Sequence, residues 1–169
     1  MIHKDYFMRM IEEIVTMVRM GLRLPEDDRD GWLDNLEKAV GDAVQADPDL
    51  FFSLDPESVV EMLDTAEIDE NLGSYVVHAI VLEATMLEAE GQMATADLRR
   101  RQARAIAEHL GCSAPASDAT TESLEAFFME DPGERLGKGS RGRASGDGAN
   151  AGFVPDGSLT QSEIDRFKF

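Results

Sequence analysis

The sequence has few of the residue types from which catalytic and metal centres are usually built. It contains one cysteine, Cys112, and three histidines that lie far apart along the chain, His3, His78 and His109. A single cysteine excludes an internal disulfide and indicates a reducing compartment. The histidine spacing gives no support for a zinc site. Motifs for an activated serine and for a phosphate-binding glycine loop are also absent. The sequence therefore predicts no catalytic residue, no metal and no cofactor.

Long uncharged apolar stretches are missing as well. Asp5, Arg9 and Glu12 interrupt the run that an N-terminal secretion signal would need. No window approaches the roughly 18 uncharged apolar residues of a transmembrane helix. We therefore expect a cytoplasmic protein.

Positive charge is scarce through the middle of the chain. The formal net charge is -18, and the stretch from Glu26 to Asp97 holds 20 acidic residues against two basic ones. A field of this sign repels phosphate backbones and disfavours nucleic-acid binding. Two small basic clusters do not reverse this expectation. They are Arg99-Arg100-Arg101 with Arg104, and Arg135, Lys138, Arg141 and Arg143.

The apolar residues that are present recur mostly at helical spacing, and alternating β-type runs are absent. This pattern predicts an all-α fold, a compact bundle of about five helices. The predicted helices are His3 to Leu22, Asp30 to Ala46, one that opens at Asp55-Pro56-Glu57, Glu70 to Glu90, and Ala94 to Leu110, with a weaker one from Thr121 to Glu130. Asp49 to Leu54 is interpreted as a short apolar connector.

The last two helices of the bundle have the features of a helical hairpin. Gly91 and Gly111 follow them at positions that favour a left-handed helix stop. Five residues fall at the spacing of one tetratricopeptide unit, in which small side chains let two helices approach closely. They are Ala84, Leu87, Gly91, Ala96 and Ala103. A single unit predicts a packing device and not a binding groove.

The first helix has a wide apolar face with two possible uses. As a core element, it would direct Phe7, Ile11, Ile14 and Val18 toward the helices that carry Leu36, Val40, Leu82 and Leu87. As a peripheral membrane anchor, it would meet anionic lipid through Lys4, Arg9, Arg19 and Arg23. The negative field of the chain opposes the second use.

The acidic stretch from Glu26 to Glu37 partly matches a helix-loop-helix calcium site. Asp28, Asp30, Gly31, Asp34 and Glu37 occupy loop positions 3, 5, 6, 9 and 12. Glu26 stands where a shorter aspartate is expected, and the spacing of the apolar residues indicates a helix instead. We interpret the stretch as an acidic helix start and assign no metal to it.

The C-terminal region combines a glycine-rich stretch with a short amphipathic segment. Eight of the 14 glycines lie from Gly133 to Gly157, which predicts a flexible tether. In residues 158–169, Thr160 and Glu163 form a capping box, and Leu159, Ile164 and Phe167 form an apolar stripe. A capped amphipathic segment on a tether is typical of a docking helix. Leu159, Glu163, Ile164 and Phe167 are the predicted partner-binding residues.

The predicted organisation is an acidic helical body (1–111), a connector with a short amphipathic helix (112–132), a tether (133–157) and a docking segment (158–169). This organisation favours a protein-protein interaction or adaptor protein whose partner is another protein. Two other classes stay open, a peripheral membrane-associated helical protein and an enzyme of unidentified class, whose chemistry would have to come from carboxylates alone.

Two stretches resemble known families. The opening, Met1-Ile2-His3-Lys4-Asp5-Tyr6-Phe7-Met8-Arg9-Met10-Ile11-Glu12, resembles the M-I-x-x-D-Y-x-x-R-x-I-E start of a family of small bacterial proteins that also carry a tetratricopeptide-like hairpin. That resemblance covers about residues 1–111 and implies no activity. Residues 159–165, Leu-Thr-Gln-Ser-Glu-Ile-Asp, are similar to the L-S-Q-x-E-I-D segment with which flagellar-switch proteins bind a phosphorylated response regulator.

Overall fold

The computed structural model describes residues 2–116 and 118–135. Within these ranges the chain forms α-helices, one 3₁₀ turn and no β-strand, which confirms the all-α prediction. The helices are α1 (Ile2–Leu22), α2 (Arg29–Val44), α3 (Pro48–Ser53), α4 (Pro56–Leu63), α5 (Glu70–Ala89), α6 (Met93–Leu110) and α7 (Thr121–Met129), and the 3₁₀ turn is Glu26–Asp28. Residues 1–132 form one compact unit.

Aspartate side chains begin three of the helices. The Asp47 carboxylate accepts a hydrogen bond from the Leu50 amide at 3.0 Å, and Asp55 accepts one from the Ser58 amide at 2.8 Å. In the third case Asp69 caps α5. Each carboxylate satisfies an amide that has no partner inside its helix and also favours the positive end of the helix dipole.

The connector interpretation of Asp49 to Leu54 was wrong, because these residues belong mainly to α3. The Asp47-Pro48 pair begins this helix in the same way as Asp55-Pro56 begins α4. A helix of six residues is too short to show a 3.6-residue periodicity, so its cap is the only local signal. Phe51 and Phe52 are buried and fix α3 to the core.

The central helix is α5, which packs against α6, α1, α2 and α7. Its residues from Leu72 to Leu87 are buried on almost every side. By length and composition this helix, Glu70–Ala89, could cross a membrane, and 78% of its apolar window is buried inside the fold.

The helices α5 and α6 form the predicted hairpin. Gly91, at a φ of +85°, lies between them, and Gly111, at +68°, ends α6, so both predicted left-handed stops are confirmed. Ala84, Ala96 and Ala103 are buried where the two helices approach. The likeness to a tetratricopeptide unit stays a prediction.

The apolar face of α1 lies in the core, as the first of the two uses requires. Ile11, Ile14 and Val18 are buried, Phe7 is half-buried, and the helix packs against α2, α5 and α7. The face that the membrane alternative would direct toward lipid is therefore covered by other helices of the same chain.

A close contact between Gly21 and Trp32 sets the approach of α1 and α2. The Trp32 indole Nε1 donates a hydrogen bond to the Met17 carbonyl at 2.6 Å. A Cβ atom at position 21 would lie 1.8 Å from Trp32 Cε2. Only a residue without a side chain leaves room for the indole ring here.

Candidate functional site

The most distinctive polar feature of the described residues is a buried arginine, Arg99 on α6. Its Nε donates to Glu83 Oε2 on α5 at 2.7 Å, and its Nη2 donates to Glu37 Oε2 on α2 at 3.0 Å. Its Nη1 donates to the Phe52 carbonyl on α3 at 3.0 Å. The guanidinium carbon also lies 4.5 Å from the centre of the Phe52 ring, a cation-π distance. One side chain thus connects four helices.

Gln102, one turn after Arg99, completes this arrangement. Its Nε2 donates to the Phe52 carbonyl at 3.2 Å and to the Leu54 carbonyl at 2.8 Å. These carbonyls lie at the C-terminal end of α3, where a helix leaves its acceptors without internal partners. Gln102 is fully buried, and its Oε1 has no hydrogen-bond partner. We refer to Glu37, Phe52, Glu83, Arg99 and Gln102 as the Arg99 cluster.

The two carboxyl groups of the Arg99 cluster lie beside one buried cation, and the pKa of Glu83 is raised. Burial, followed by a hydrogen bond with Glu37 and the charge of Glu37, raises this pKa to about 9 against the opposing effect of Arg99. With Glu83 protonated, the positive charge of Arg99 balances the single negative charge of Glu37. A neutral cluster avoids the large penalty of an uncompensated charge in the interior.

The chemistry of this cluster is that of a structural connection. Two nearby carboxyls with a raised pKa are a pattern that acid-base enzymes use. Here Arg99 engages both groups, and Glu83 lies in the core. The arrangement holds α2, α3, α5 and α6 together, and it makes that connection dependent on the protonation of Glu83.

A second candidate region is the surface of α1 and α5 that holds α7, which we call the α7 seat. Leu124 and Phe128 of α7 are buried in it. The Phe127 ring stacks on the His78 ring with 3.6 Å between centroids and 6° between planes. Tyr75 lies beside the same phenylalanine at 4.8 Å. The seat therefore holds an amphipathic helix through one aliphatic and two aromatic side chains.

Arg19 of α1 fixes the C-terminal end of α7. Its Nε donates to the Phe128 carbonyl at 2.9 Å, and its Nη2 lies 3.5 Å from the Glu130 carbonyl. A cation at this end also stabilises the negative end of the helix dipole. The short helix is thereby held at its last turn as well as along its apolar face.

An unfavourable charge contact accompanies this arrangement. Glu12 of α1 is half-buried, and its pKa is raised first by burial and then by the negative charge of Asp131, with Arg19 opposing. Two acids near each other at the end of α7 weaken its attachment. The α7 seat is thus more complementary in shape than in charge.

The predicted partner-binding residues Leu159, Glu163, Ile164 and Phe167 lie outside the described residues. Most of the predicted tether, residues 136–157, lies outside them as well. The partner-binding role of these four residues therefore stays a prediction.

The stretch from Glu26 to Glu37 does not have the conformation of a calcium loop. The helix α2 begins at Arg29 and runs through the positions that would have to curve around an ion. Glu37, which would be the bidentate ligand, instead accepts a hydrogen bond from Arg99. Among the described residues, no group of three His, Cys, Asp or Glu side chains could hold a metal ion.

The basic run at 99–101 is not a continuous basic surface. Arg99 is buried in its cluster, Arg100 pairs with Glu88 at 3.2 Å, and Arg101 pairs with Asp97 at 2.9 Å. Helical geometry separates these neighbours around α6. Each positive charge therefore has an acidic partner of its own.

The single cysteine has the properties of a structural thiol. Cys112 is half-buried, and burial is the main cause that raises its pKa, with a smaller contribution from Glu70. A raised pKa disfavours the thiolate, which is the reactive form. His109, close to it in sequence, has its Nε2 at 2.7 Å from Asp64 Oδ1.

Sequence reasoning missed the Arg99 cluster. A signal was present, because Glu83 interrupts an apolar helix, and a buried acid requires a partner. The sequence does not identify that partner, because four neighbouring arginines could each pair with Glu83. They are Arg99, Arg100, Arg101 and Arg104.

Comparison with known proteins assigns neither a family nor a function to the chain. No family model, no curated protein and no solved structure matches the chain.

Proposed function

We propose that this chain is a cytoplasmic protein-protein interaction protein, an adaptor whose helical body presents residues 158–169 as a docking segment. The observation that carries the proposal is a likeness between this segment and α7. Both sequences place a threonine first, an aliphatic residue four positions later, an acid five positions later and a phenylalanine seven positions later. The matched pairs are Thr120 and Thr160, Leu124 and Ile164, Glu125 and Asp165, and Phe127 and Phe167.

In α7 three of these positions form the contacts of a docked helix. The Thr120 hydroxyl accepts a hydrogen bond from the Ser123 amide at 3.2 Å, which caps the helix. Leu124 is buried in the α7 seat, and Phe127 stacks on His78. A segment with the same pattern has the groups that a helix needs to dock into an apolar groove.

The alternatives receive less support from the described residues. The membrane alternative needs the apolar face of α1, which is buried in the core. The enzyme alternative needs available carboxyls, and Arg99 engages those of Glu37 and Glu83. Neither observation favours a second function.

Affinity capture with purified protein variants tests the proposal. The full chain should retain a defined set of proteins, and deletion of residues 158–169 should abolish their capture. Phe167→Asp should have the same effect, because it places a charge in the apolar stripe. Arg166→Ala, which leaves the stripe intact, is the matched control and should behave as the full chain. An unchanged set of captured proteins after the deletion would contradict the proposal.

A further inference from the structure

We propose that the α7 seat binds residues 158–169 of a second copy of this chain, in exchange for α7. The inference rests on the proposed docking function and names the partner and the surface. It makes the chain a self-associating protein whose docking surface is covered by its own α7 until a second copy replaces it.

Two of the three side chains through which α7 is held, Leu124 and Phe127, have counterparts in the docking segment. At a constant offset of 40 residues, Ile164 takes the place of the buried Leu124, and Phe167 takes the place of Phe127 on the His78 ring. Thr160 takes the place of the capping Thr120. A surface that selects an aliphatic and an aromatic side chain three positions apart fits both helices.

The charges of the two segments also differ. Residues 120–131 contain four acidic and no basic residues, whereas residues 158–169 contain two of each. The acids of the α7 region include Asp131, whose charge raises the pKa of the half-buried Glu12. Replacing α7 by a segment with equal numbers of acidic and basic residues lowers the negative charge beside Glu12.

The docking segment differs from α7 most at one position. Lys168 stands at the position of Phe128, which is buried in the seat. The aliphatic part of a lysine can cover apolar surface while its ammonium group reaches toward solvent or an acid. Glu12 and Arg19 of α1 interact with the C-terminal end of α7, so a cation in the last turn of the incoming helix approaches Glu12. Glu12 favours a cation at this position and Arg19 opposes it, so the lost aromatic contact is the main cost of the exchange.

The helix α7 has little stability of its own. It has nine residues, and a helix of this length is unstable in water without packing. Residues 112–116, which follow α6, form no helix, so the described start of the connection to α7 is irregular. Release of α7 therefore breaks the contacts of its seat and leaves the contacts of α5 with α6 and of α1 with α2 in place.

A labelled synthetic peptide of residues 158–169 tests the inference when it is titrated into the purified full chain and followed by fluorescence anisotropy. We expect saturable binding together with faster hydrogen exchange of the α7 amides, because the peptide replaces α7. Thr120→Ala removes the cap of α7 without altering the seat, so it should tighten peptide binding by about fivefold. A Phe167→Ala peptide should fail to bind, and a Ser162→Ala peptide should bind as the original.

Self-association supplies the second measurement. Above the dissociation constant of the peptide, the mass of the full chain in sedimentation should rise with concentration, and Phe167→Ala in the chain should abolish the rise. The inference is overturned by absence of peptide binding, by binding that Thr120→Ala leaves unchanged, by binding without faster α7 exchange, or by a constant mass. If the peptide fails to bind but affinity capture still depends on residues 158–169, the inference is wrong and the proposed function stands.

Discussion

Glu83 Oε2 lies 2.7 Å from Arg99 Nε in the core, yet this close cation does not lower the pKa of the glutamate below its ordinary value. The pKa of Glu83 is raised to about 9 because burial and the neighbouring Glu37 outweigh the attraction of Arg99. A raised pKa favours the neutral acid as the hydrogen-bond partner of Arg99. The free energy of unfolding should therefore depend on pH through the Glu83 carboxyl group.

Replacement of Glu83 by glutamine should remove that dependence. The pKa of Glu83 is higher in the folded chain than its ordinary value of 4.5, so the folded state holds a proton that the unfolded state releases. The contribution of Glu83 to the free energy of unfolding is fully present below pH 4.5. It is lost as the pH rises toward about 9, by up to about 1.4 kcal/mol per pH unit. Glu83→Gln keeps the neutral hydrogen-bonding form, so its unfolding free energy should vary less between pH 5 and pH 8.

Denaturant unfolding of both proteins at several pH values measures this effect. Glu12, whose pKa is also raised, is present in both proteins, so their difference isolates Glu83. The glutamine variant should equal or exceed the original in stability at pH 8. If the unfolding free energies of the two proteins change in parallel between pH 5 and pH 8, Glu83 is ionised in the folded chain.

Removal of Arg99 should destabilise the body strongly. Arg99→Ala leaves Glu37 without its buried cation and leaves the Phe52 carbonyl with fewer donors. Loss of one partner of a buried pair typically costs about 3 to 5 kcal/mol. Arg101→Ala is the matched control, because Arg101 and Asp97 form an exposed pair of the kind that contributes about 0 to 1 kcal/mol. Thermal melts of both variants should therefore differ widely, and equal melts would show that the cluster contributes no more than a surface pair.

The parts of the fold that follow from local signals were predictable from the sequence. Asp55-Pro56 fixed the start of α4, and Gly91 and Gly111 fixed two helix ends. In each case the cause and the effect lie within a few residues of each other. The same reasoning applied to Asp47-Pro48 would have identified α3.

The parts that depend on distant contacts were not predictable. Arg99 is 62 residues from Glu37 and 47 from Phe52, and no local pattern joins them. Arg19 reaches the end of α7 across 109 residues. Such partners become visible only when the helices are placed, because many acids and bases in this sequence could pair equally well.

Two glycine substitutions should act in opposite directions. Gly21→Ala places a Cβ atom 1.8 Å from Trp32 Cε2, so the indole ring or the helix pair must move. Overpacking of this kind typically costs about 1 to 3 kcal/mol. Gly31→Ala in α2 meets no atom within 4 Å and should stabilise the helix by roughly 0.5 to 1 kcal/mol. Thermal melts check both, and a Gly21→Ala protein as stable as the original would show that α1 and α2 are not in close contact there.

The contrast between Ile14 and Ile164 tests the division into a folded body and a docking segment. Ile14 is fully buried among α1 and its neighbours, so Ile14→Ala leaves a cavity and should cost about 2 to 5 kcal/mol. For a small domain with a total stability of roughly 5 to 15 kcal/mol, this lowers the melting temperature by many degrees. At protein concentrations too low for self-association, Ile164→Ala should leave the melting temperature unchanged and weaken only partner binding.

Each variant needs both measurements, a thermal melt and the affinity capture of partners. We expect each variant to change only one of the two measurements. Ile14→Ala should melt early but capture partners below its melting temperature. Ile164→Ala should melt normally but capture fewer partners. If Ile14→Ala melts as the original does, α1 is not a core element, and its apolar face is available for a membrane or a second chain. If Ile164→Ala lowers the melting temperature, the segment is part of the folded body, because a side chain contributes to stability only where it is packed.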